Sequence, residues 1–143
     1  MRMKTYLIDD DDLSIYLTEN LLRAEGFSNC ICTFQSAQEA LDKLVGKKQR
    51  VPQVVFLDLN MPMMDGWQFL DALAPYQEAL RGTCHIYILT SSLALRDLEK
   101  AKQYELVAGL IHKPLDSEEI RAIQSQFGDD AVGDDEPCDC IGA

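Results

Sequence analysis

The sequence is poor in positive charge. Its 143 residues include 13 lysines and arginines against 24 aspartates and glutamates, which gives a formal net charge of −11 at pH 7. A protein that binds nucleic acid needs a basic surface against the phosphate backbone, and anionic membranes attract basic segments for the same reason. The charge balance therefore argues against both kinds of partner.

Long apolar runs are also lacking. No stretch approaches the roughly 20 consecutive apolar residues that a membrane-spanning helix needs. The N-terminus lacks the apolar core of a secretory signal peptide, and the five cysteines show no disulfide framework. We therefore expect a soluble, cytoplasmic protein in a reducing environment.

The cysteines give only a weak signal of their own. Cys30 and Cys32 lie two residues apart in a predicted strand, which favours packing on one face over metal binding. Cys138 and Cys140 could bind a soft metal, but two ligands without a third are weak evidence.

What remains is an ordinary globular composition, with 47% hydrophobic residues. The length suggests one domain, which we place at residues 1–127. Residues 128–143 contain six acids and no base. We expect this segment to be an acidic, disordered C-terminal tail.

Short apolar runs alternate with amphipathic stretches along the domain. This alternation predicts an α/β fold in which a parallel sheet carries helices on both faces, because parallel neighbours need crossover connections. Gly26 marks a helix stop, and Asp116 with Glu119 forms a capping box. The predicted strands are 5–8, 30–34, 54–59, 85–92 and 107–111, and the predicted helices are 13–27, 36–44, 66–80, 95–104 and 118–127.

Polar residues follow four of the five predicted strands. In open parallel sheets, ligands bind at the carboxyl ends of the strands, so these residues are the candidate site. They are Asp9 and Asp10 after the first strand, Asp58 after the third, Thr90 and Ser91 after the fourth, and Lys113 after the fifth.

The chemistry of this set suits a phosphoryl group. Two carboxylates about 4 Å apart repel by about 4 kcal/mol at a surface-like dielectric constant, so a cluster of three needs a cation. Mg²⁺ prefers oxygen ligands and binds one or two carboxylates together with phosphate oxygens. Lys113 adds a point charge, Thr90 adds a hydroxyl donor, and an aspartate can act as a phosphoryl-accepting nucleophile.

Asp11 and Asp12 complete a run of four aspartates but lie beyond the strand end. We expect them to cap the first helix and to interact favourably with its N-terminal dipole. The run therefore divides into a site-forming pair and a helix-capping pair.

Four motifs carry a resemblance to a known family. They are LIDDDD at 7–12, VVFLDLNMPMMDGW at 54–67, YILTSS at 87–92 and LIHKPL at 110–115. In order and spacing the sequence resembles the receiver domain of two-component response regulators, in its stand-alone, chemotaxis-type form. The resemblance implies a flavodoxin-like, doubly wound sheet of five parallel strands in the order 2-1-3-4-5 with five helices.

The same resemblance implies a role for each acidic residue of the site. Asp58 would be phosphorylated by a phosphohistidine on a partner protein. Asp9, Asp10, Asp58 and the backbone carbonyl of Asn60 would hold Mg²⁺, with Asp10 favoured over Asp9 as the direct ligand.

The phosphate contacts and the readout are implied in the same way. Thr90 and Ser91 would bind phosphate oxygens, and Thr90 would move toward the phosphate. Lys113 would pair first with Asp58 and then with the phosphate. The family reports phosphorylation by turning an aromatic residue three positions before this lysine, where the sequence has Leu110.

The partners implied are a sensor histidine kinase or a histidine phosphotransfer protein, as in a bacterial phosphorelay. Output would pass through the face formed by the fourth helix, the fifth strand and the fifth helix, and a phosphorylation-dependent homodimer stays open. We therefore expect a signalling protein and not an enzyme. Its chemistry would be self-phosphorylation and slow self-dephosphorylation.

Two alternatives stay open. A haloacid-dehalogenase-type phosphatase also begins with Asp-x-Asp after a strand, which Asp9 and Asp11 mimic, and 128–134 resembles its late acidic motif. That family prefers Thr or Val at the position of Leu13, and it leaves Asp58 unexplained. The other alternative is a receiver-fold adaptor that binds partners without being phosphorylated, although such adaptors usually have a degraded acidic pocket.

Overall fold

The computed structural model describes residues 4–28, 30–46, 51–92, 94–127 and Cys140. Within these residues, strands and helices alternate along the chain. The strands are β1 (Lys4–Ile8), β2 (Cys30–Phe34), β3 (Val54–Asp58), β4 (His85–Thr90) and β5 (Val107–His112). The helices are α1 (Asp12–Ala24), α2 (Ala37–Val45), α3 (Gly66–Leu73), α4 (Leu95–Ala101) and α5 (Ser117–Gln126).

The helix α3 is continued by further helical structure. A 3₁₀ turn at Ala74–Tyr76 and one helical turn at Gln77–Leu80 follow it directly. Pro75 lies in the 3₁₀ turn, where its missing N–H and fixed φ end the regular helix.

All five strands are parallel and form one sheet in the order β2-β1-β3-β4-β5. This confirms the predicted fold class and strand order. The strands β1 and β3 are buried along their whole length, because helices cover both faces of the sheet. The carboxyl ends of β1, β3, β4 and β5 therefore lie side by side at one edge.

The core consists of two apolar layers, one on each face of the sheet. On one face, side chains such as Ile8, Leu57 and Phe69 pack with α2 and α3. On the other face, side chains such as Leu7 and Phe56 pack with α1 and α5. Complete burial of each such side chain is worth about 1.5–3 kcal/mol, so the strands form a rigid support for the groups at their ends.

Side-chain caps fix the helix starts. Asp11 is the N-cap of α1 and accepts a hydrogen bond from the backbone N–H of Leu13 at 3.2 Å, as expected for this part of the aspartate run. Asp116 and Glu119 form the predicted reciprocal capping box of α5. The helix α3 begins with the same arrangement at Asp65, which the sequence reading did not identify.

Several elements are shorter than predicted. Helix α1 ends at Ala24 and not at residue 27, and Gly26 follows in a left-handed conformation with φ of 65°. Helix α4 ends at Ala101 and not at residue 104. Strand β4 ends at Thr90 and not at residue 92, because the Thr90 hydroxyl is hydrogen-bonded to the backbone of Ser92 and starts a turn.

The expectation that the cysteines form no disulfide is wrong. Cys140 lies against β2 and is joined to Cys32 in a disulfide with a Cα–Cα distance of 5.1 Å. The two residues are 108 positions apart, so no local spacing reveals the pair. The predicted disorder of the acidic tail falls on residues outside the described ones, apart from Cys140.

None of the helices described is long and apolar enough to cross a membrane.

Candidate functional site

Three carboxylates meet at the edge where the central strands end. Asp9 and Asp10 follow β1, and Asp58 is the last residue of β3. One carboxylate oxygen from each of the three lies within 4.8 Å of the others. Asp9 and Asp58 are only 1% and 5% exposed, whereas Asp10 is open to solvent. The structure therefore forms the predicted acidic cluster with two buried members and one accessible member.

Lys113 supplies the positive charge of the cluster. Its Nζ lies 2.8 Å from Oδ2 of Asp9 and 3.4 Å from Oδ1 of Asp58. The backbone N–H of Lys113 donates to the carbonyl of Thr90 at 2.8 Å, which continues the β4–β5 pairing, and the Lys113–Pro114 peptide bond is cis. The resemblance implied that Lys113 pairs first with Asp58, whereas in the structure the ammonium lies between both carboxylates and closer to Asp9.

The electrostatics of the two groups are consistent with this placement. Burial opposes ionisation of Asp9, but hydrogen bonds from Lys113, from the backbone N–H of Asp11 and from Ser14 outweigh it, so the pKa of Asp9 is lowered. Asp9 is therefore the ionised carboxylate that holds the ammonium. Burial also opposes the charge on Lys113, but its contacts with Asp9 and Asp58 raise the pKa of Lys113 above the ordinary value.

Asp58 has the opposite balance. Burial and the nearby negative charge of Asp9 raise the pKa of Asp58 to about 6, against the opposing effects of Lys113 and the Asn60 backbone N–H. Two carboxylates with diverging pKa values in one site indicate different tasks. Asp9 is tied to Lys113, while Asp58 is the more basic of the two buried carboxylates.

The hydroxyl group of Thr90 is buried beside this cluster but bonds within its own loop. Its Oγ1 donates to the carbonyl of Ser92 at 3.1 Å and accepts from the backbone N–H of Ser92 at 3.2 Å. Ser91 follows and is exposed. A new acceptor near Asp58 would compete for the Thr90 hydroxyl, so this loop is a candidate moving part.

The loop after β3 is held close to the site by a glycine. A Cβ on Gly66 would lie 3.0 Å from the Cα of Leu59 and 3.2 Å from the carbonyl oxygen of Asp58, so a larger residue there would have to displace the backbone at the end of β3. Within this loop the backbone N–H of Asn60 points at Oδ1 of Asp58, at 3.4 Å. Met63 is fully exposed with a φ of 71°. The glycine of the NMP…DGW motif therefore has a packing reason that its sequence position did not reveal.

No aromatic ring occupies the position of the expected readout residue on β5. Leu110 is half-buried and packs with the apolar layer on the α2 and α3 side. An aromatic side chain is present on the neighbouring strand instead, where Tyr87 lies beside Gly109 and donates its hydroxyl hydrogen to Oε1 of Gln126 on α5 at 3.0 Å. The position at which the family has an aromatic readout residue therefore carries a packed aliphatic side chain in this protein.

Sequence reasoning missed two features with chemical interest. Ser14, in the first turn of α1, hydrogen-bonds to Asp9, and only a hydroxyl shortly after the aspartate run hinted at this contact. The second feature is a cluster of three cysteine sulfurs, from Cys30, Cys32 and Cys140. Cys140 lies 108 positions from Cys32, so the group of three was invisible before the fold was known.

Comparison with known proteins identifies the family. The sequence matches the family model described as the response regulator receiver domain over residues 6–124. The chain is therefore a member of the receiver-domain family. The strand order and the acidic cluster at the sheet edge are what the resemblance of the four motifs implied.

Individual relatives agree with this assignment. The receiver is 31% identical over 125 residues to sporulation initiation phosphotransferase F of Bacillus subtilis, which covers 85% of this chain and 90% of that protein. A crystal structure of a two-component response regulator from Cytophaga hutchinsonii is 27% identical with a TM-score of 0.81, covering 87% of this chain and 96% of the other. The chemotaxis protein CheY4 of Vibrio cholerae is 25% identical with a TM-score of 0.72, covering 88% and 98%.

Proposed function

We propose that this receiver accepts a phosphoryl group on Asp58 and signals through the protein contacts that follow. The observation that carries the proposal is the state of Asp58 itself. Its carboxylate is almost fully buried, 3.4 Å from the Lys113 ammonium, and has a pKa of about 6. It is thus ionised at neutral pH but more basic than an ordinary aspartate, which suits a nucleophile.

The transfer is a displacement at phosphorus. An oxygen of Asp58 forms a bond to the phosphorus of a phosphohistidine, the phosphorus–nitrogen bond breaks, and the imidazole keeps the bonding electron pair. Lys113 stands between Asp58 and Asp9, so its ammonium can move toward the new phosphoryl oxygens while Asp9 stays within its reach. Water later attacks the acyl phosphate, returning Asp58 and inorganic phosphate. This is a self-catalysed cycle and not turnover of a separate substrate, so the protein is a phosphoacceptor and not an enzyme.

The donor set fits a magnesium ion. Asp9, Asp10 and Asp58 offer carboxylate oxygens within 4.8 Å of one another, and the backbone carbonyl of Asn60, on the loop after β3, would be a further ligand. These are hard oxygen ligands of the type Mg²⁺ selects. When bound, the ion would neutralise charge on the transferring phosphoryl group. Asp10 is the exposed member, so it is the side chain that can bind the ion with least loss of buried contacts.

The switch begins at Thr90. The phosphoryl group brings about −1.5 to −2 charge units and three acceptor oxygens. These oxygens would draw the Thr90 hydroxyl away from Ser92, together with the loop that leads to α4. The expected output surface is the face of α4, β5 and α5, on which Leu95 and Leu98 of α4 are exposed.

Family membership supports a proposal about the partners and the location. Receiver domains work with histidine kinases or histidine phosphotransfer proteins, so we propose a donor of that class for this chain, a downstream protein as target, and a cytoplasmic setting. A relay role, in which Asp58 passes the phosphoryl group onward, uses the same chemistry.

Acetyl phosphate with Mg²⁺ tests the assignment of Asp58 without knowledge of the partner. Intact-mass measurement should show one phosphoryl group on the unmodified protein and none on Asp58→Asn. Asp42→Asn is the matched control, because Asp42 is an exposed aspartate on α2. It should be labelled like the unmodified protein. Covalent label that survives in Asp58→Asn would overturn the proposal.

The same measurement separates the phosphatase alternative. In that mechanism Asp9 is the nucleophile, but its Oδ2 is 2.8 Å from the Lys113 ammonium and its Oδ1 accepts the backbone N–H of Asp11 at 3.0 Å. The acidic motif at 128–134 that the phosphatase needs lies outside the described residues. Label that is lost in Asp9→Asn, kept in Asp58→Asn and assigned to Asp9 by peptide mapping would favour the phosphatase.

A further inference from the structure

The cysteine cluster consists of Cys30, Cys32 and Cys140, and the phosphoacceptor chemistry uses none of them. One sulfur from each residue lies within 4.8 Å of the other two. Cys32 is joined to Cys140, and Cys30 is disulfide-bonded as well. The cluster is therefore oxidised throughout, and its chemistry is that of disulfides and not of free thiols.

The Cys32–Cys140 bond attaches a residue near the C-terminus to the edge of the sheet. The strand β2 is an edge strand, and Cys32 is buried in the apolar layer on the α2 and α3 side. Cys140 is only half-buried, so it is the more accessible member of the pair. The bond therefore joins a buried anchor in the core to a partner that a reagent in solution can approach.

Cys84 provides a contrast, because it is an unreactive cysteine of the same protein. It is a free thiol in the core, and burial raises the pKa of Cys84 to about 12. The thiolate is the attacking species in thiol–disulfide exchange, and at neutral pH almost none of Cys84 is in that form. Within the part of the chain that the structure describes, redox chemistry is therefore confined to the cysteine cluster.

A buried positive side chain lies on the same face of the sheet as the cluster. Lys4 and Tyr6 share this face of β1 and stand opposite Cys30 and Cys32 in the β1–β2 register. The Nζ of Lys4 is 5.7 Å from the centre of the Tyr6 ring, so its charge extends toward the position of Cys32. When a disulfide opens, one sulfur leaves as a thiolate, and a nearby cation stabilises it. Lys4 therefore favours release of the buried sulfur of Cys32.

The sheet does not depend on this bond for its pairing. The strand β2 pairs with β1 along its whole length, from Cys30 to Phe34, and a reduced cysteine packs in a core as a small apolar residue. What the bond adds is a constraint on the unfolded chain, because it closes a loop between residues 108 positions apart. Opening the bond should therefore lower the free energy of unfolding and leave the fold in place.

We propose that the Cys32–Cys140 disulfide is a reversible redox link, which a dithiol reductant opens and a disulfide oxidant closes, so that the redox state decides whether Cys140 is attached to β2. A thiolate of the reductant attacks the Sγ of Cys140, the sulfur–sulfur bond breaks, and Cys32 leaves as a thiolate that takes up a proton. The second thiol of the reductant then releases Cys140. The two cysteines gain two electrons and two protons, and the reductant becomes a disulfide. In the cytoplasmic setting proposed above, disulfides are usually transient and redox-sensing, which agrees with this role.

The test uses the full-length protein in a Cys30→Ala/Cys138→Ser background. In this background Cys32 and Cys140 pair only with each other, because the remaining thiol, Cys84, is inert. The protein is equilibrated at pH 7 with oxidised or reduced dithiothreitol, and alkylation with peptide mapping detects the link. We expect a linked peptide pair in the oxidised buffer, two alkylated cysteines in the reduced buffer, and the same reversible link in the unmodified protein. Reduction should lower the urea midpoint by about 1–2 M and leave the circular dichroism unchanged.

Cys140→Ser in the same background is the matched control, because it removes the accessible sulfur and leaves β2 unchanged. Its urea midpoint should equal that of the reduced parent and should be the same in both buffers. The proposal is overturned if Cys32 and Cys140 stay unlinked in oxidised dithiothreitol or if the link resists reduction in the folded protein. It is also overturned if the parent and Cys140→Ser have the same midpoint in both buffers.

Discussion

The acidic pocket and the cysteine cluster are two groups of three chemically alike side chains held in one small domain, and they are built in different ways. In each group the carboxylate oxygens or the sulfurs lie within 4.8 Å of one another. The pocket offers hard oxygens from residues at the carboxyl ends of neighbouring central strands. The cluster offers soft sulfurs from an edge strand and from a residue near the C-terminus. Parallel topology alone creates the first, whereas the second needs a long-range contact.

The cysteine cluster lies nearer the start of the parallel strands, whereas the pocket lies at their carboxyl ends. Cys30 and Cys32 are opposite Lys4 and Tyr6 of β1, and Asp9 follows the last residue of that strand. At about 3.3 Å per residue, Asp9 is about 10 Å beyond the Cys32 position along the strand direction and about 16 Å beyond the Cys30 position. At these distances exposed charges are largely screened at physiological ionic strength. The two sites should therefore respond independently to substitution.

The largest expected effect is a double dissociation between the two groups. Asp58→Asn should abolish labelling by acetyl phosphate while leaving the Cys32–Cys140 disulfide intact. Cys140→Ser should do the reverse, since it removes that disulfide and leaves every group around Asp58 in place. Intact mass and disulfide mapping of peptides, measured on the same preparations, provide both readouts. Loss of labelling in Cys140→Ser would show that the two groups are coupled.

Removal of the positive charge of Lys113 should have the next largest effect. Lys113→Met keeps most of the aliphatic stem but removes the ammonium, so Asp9 and Asp58 face each other without a positive charge between them. Breaking a buried ion pair in this way typically costs 3–5 kcal/mol, and the partial exposure of Lys113 places the expected loss near the lower end, at about 3 kcal/mol. Urea unfolding at pH 7 in EDTA measures the loss.

Lys102→Ala is the control for that measurement, because Lys102 is exposed after α4. Its effect on the free energy of unfolding should be small. If Lys113→Met were no less stable than this control, the ammonium would not be offsetting the repulsion between the two carboxylates.

The contrast between the acidic pocket and the cysteine cluster also explains how much of the structure the sequence could predict. The strand order, the helices and the pocket residues Asp9, Asp10 and Asp58 were predictable, because alternating patterns and strand-end positions are local and parallel topology brings the ends together. The Cys32–Cys140 contact was not, because nothing local marks a partner 108 residues away. The closer contact of Lys113 with Asp9 could not be predicted either, because the charge on Asp9 depends on its burial and on its hydrogen bonds with Asp11 and Ser14.

Removal of the buried charge at position 58 should stabilise the metal-free protein at neutral pH. The pKa of Asp58 is about 6 in the folded state, above the ordinary aspartate value of 3.8. A raised carboxyl pKa means that the folded state favours the protonated form, so the contribution of Asp58 is fully present below about pH 4 and is lost as the pH rises through about 6. Asp58→Asn should therefore gain about 2 kcal/mol at pH 7, after a discount for coupling to Asp9.

The pH dependence makes this prediction specific. At pH 4 the unmodified carboxyl is mostly protonated in the fold, so Asp58→Asn should have nearly the same free energy of unfolding as the unmodified protein. Asp42→Asn, on the exposed surface of α2, should show no such difference between the two pH values. A gain for Asp58→Asn that is equal at pH 4 and pH 7 would contradict an electrostatic cause.

The smallest predicted effect tests the division within the aspartate run. Asp11 accepts the N–H of Leu13 as the N-cap of α1, so Asp11→Ala should cost about 1 kcal/mol of stability. Asp11→Asn retains a good capping side chain and should recover most of that loss. The contact from Asp11 to Asp9 uses the backbone N–H, which both substitutions keep, so labelling of Asp58 should continue in each variant. Loss of labelling in Asp11→Asn, with stability retained, would place the Asp11 carboxylate in the phosphoryl site and not at the helix start.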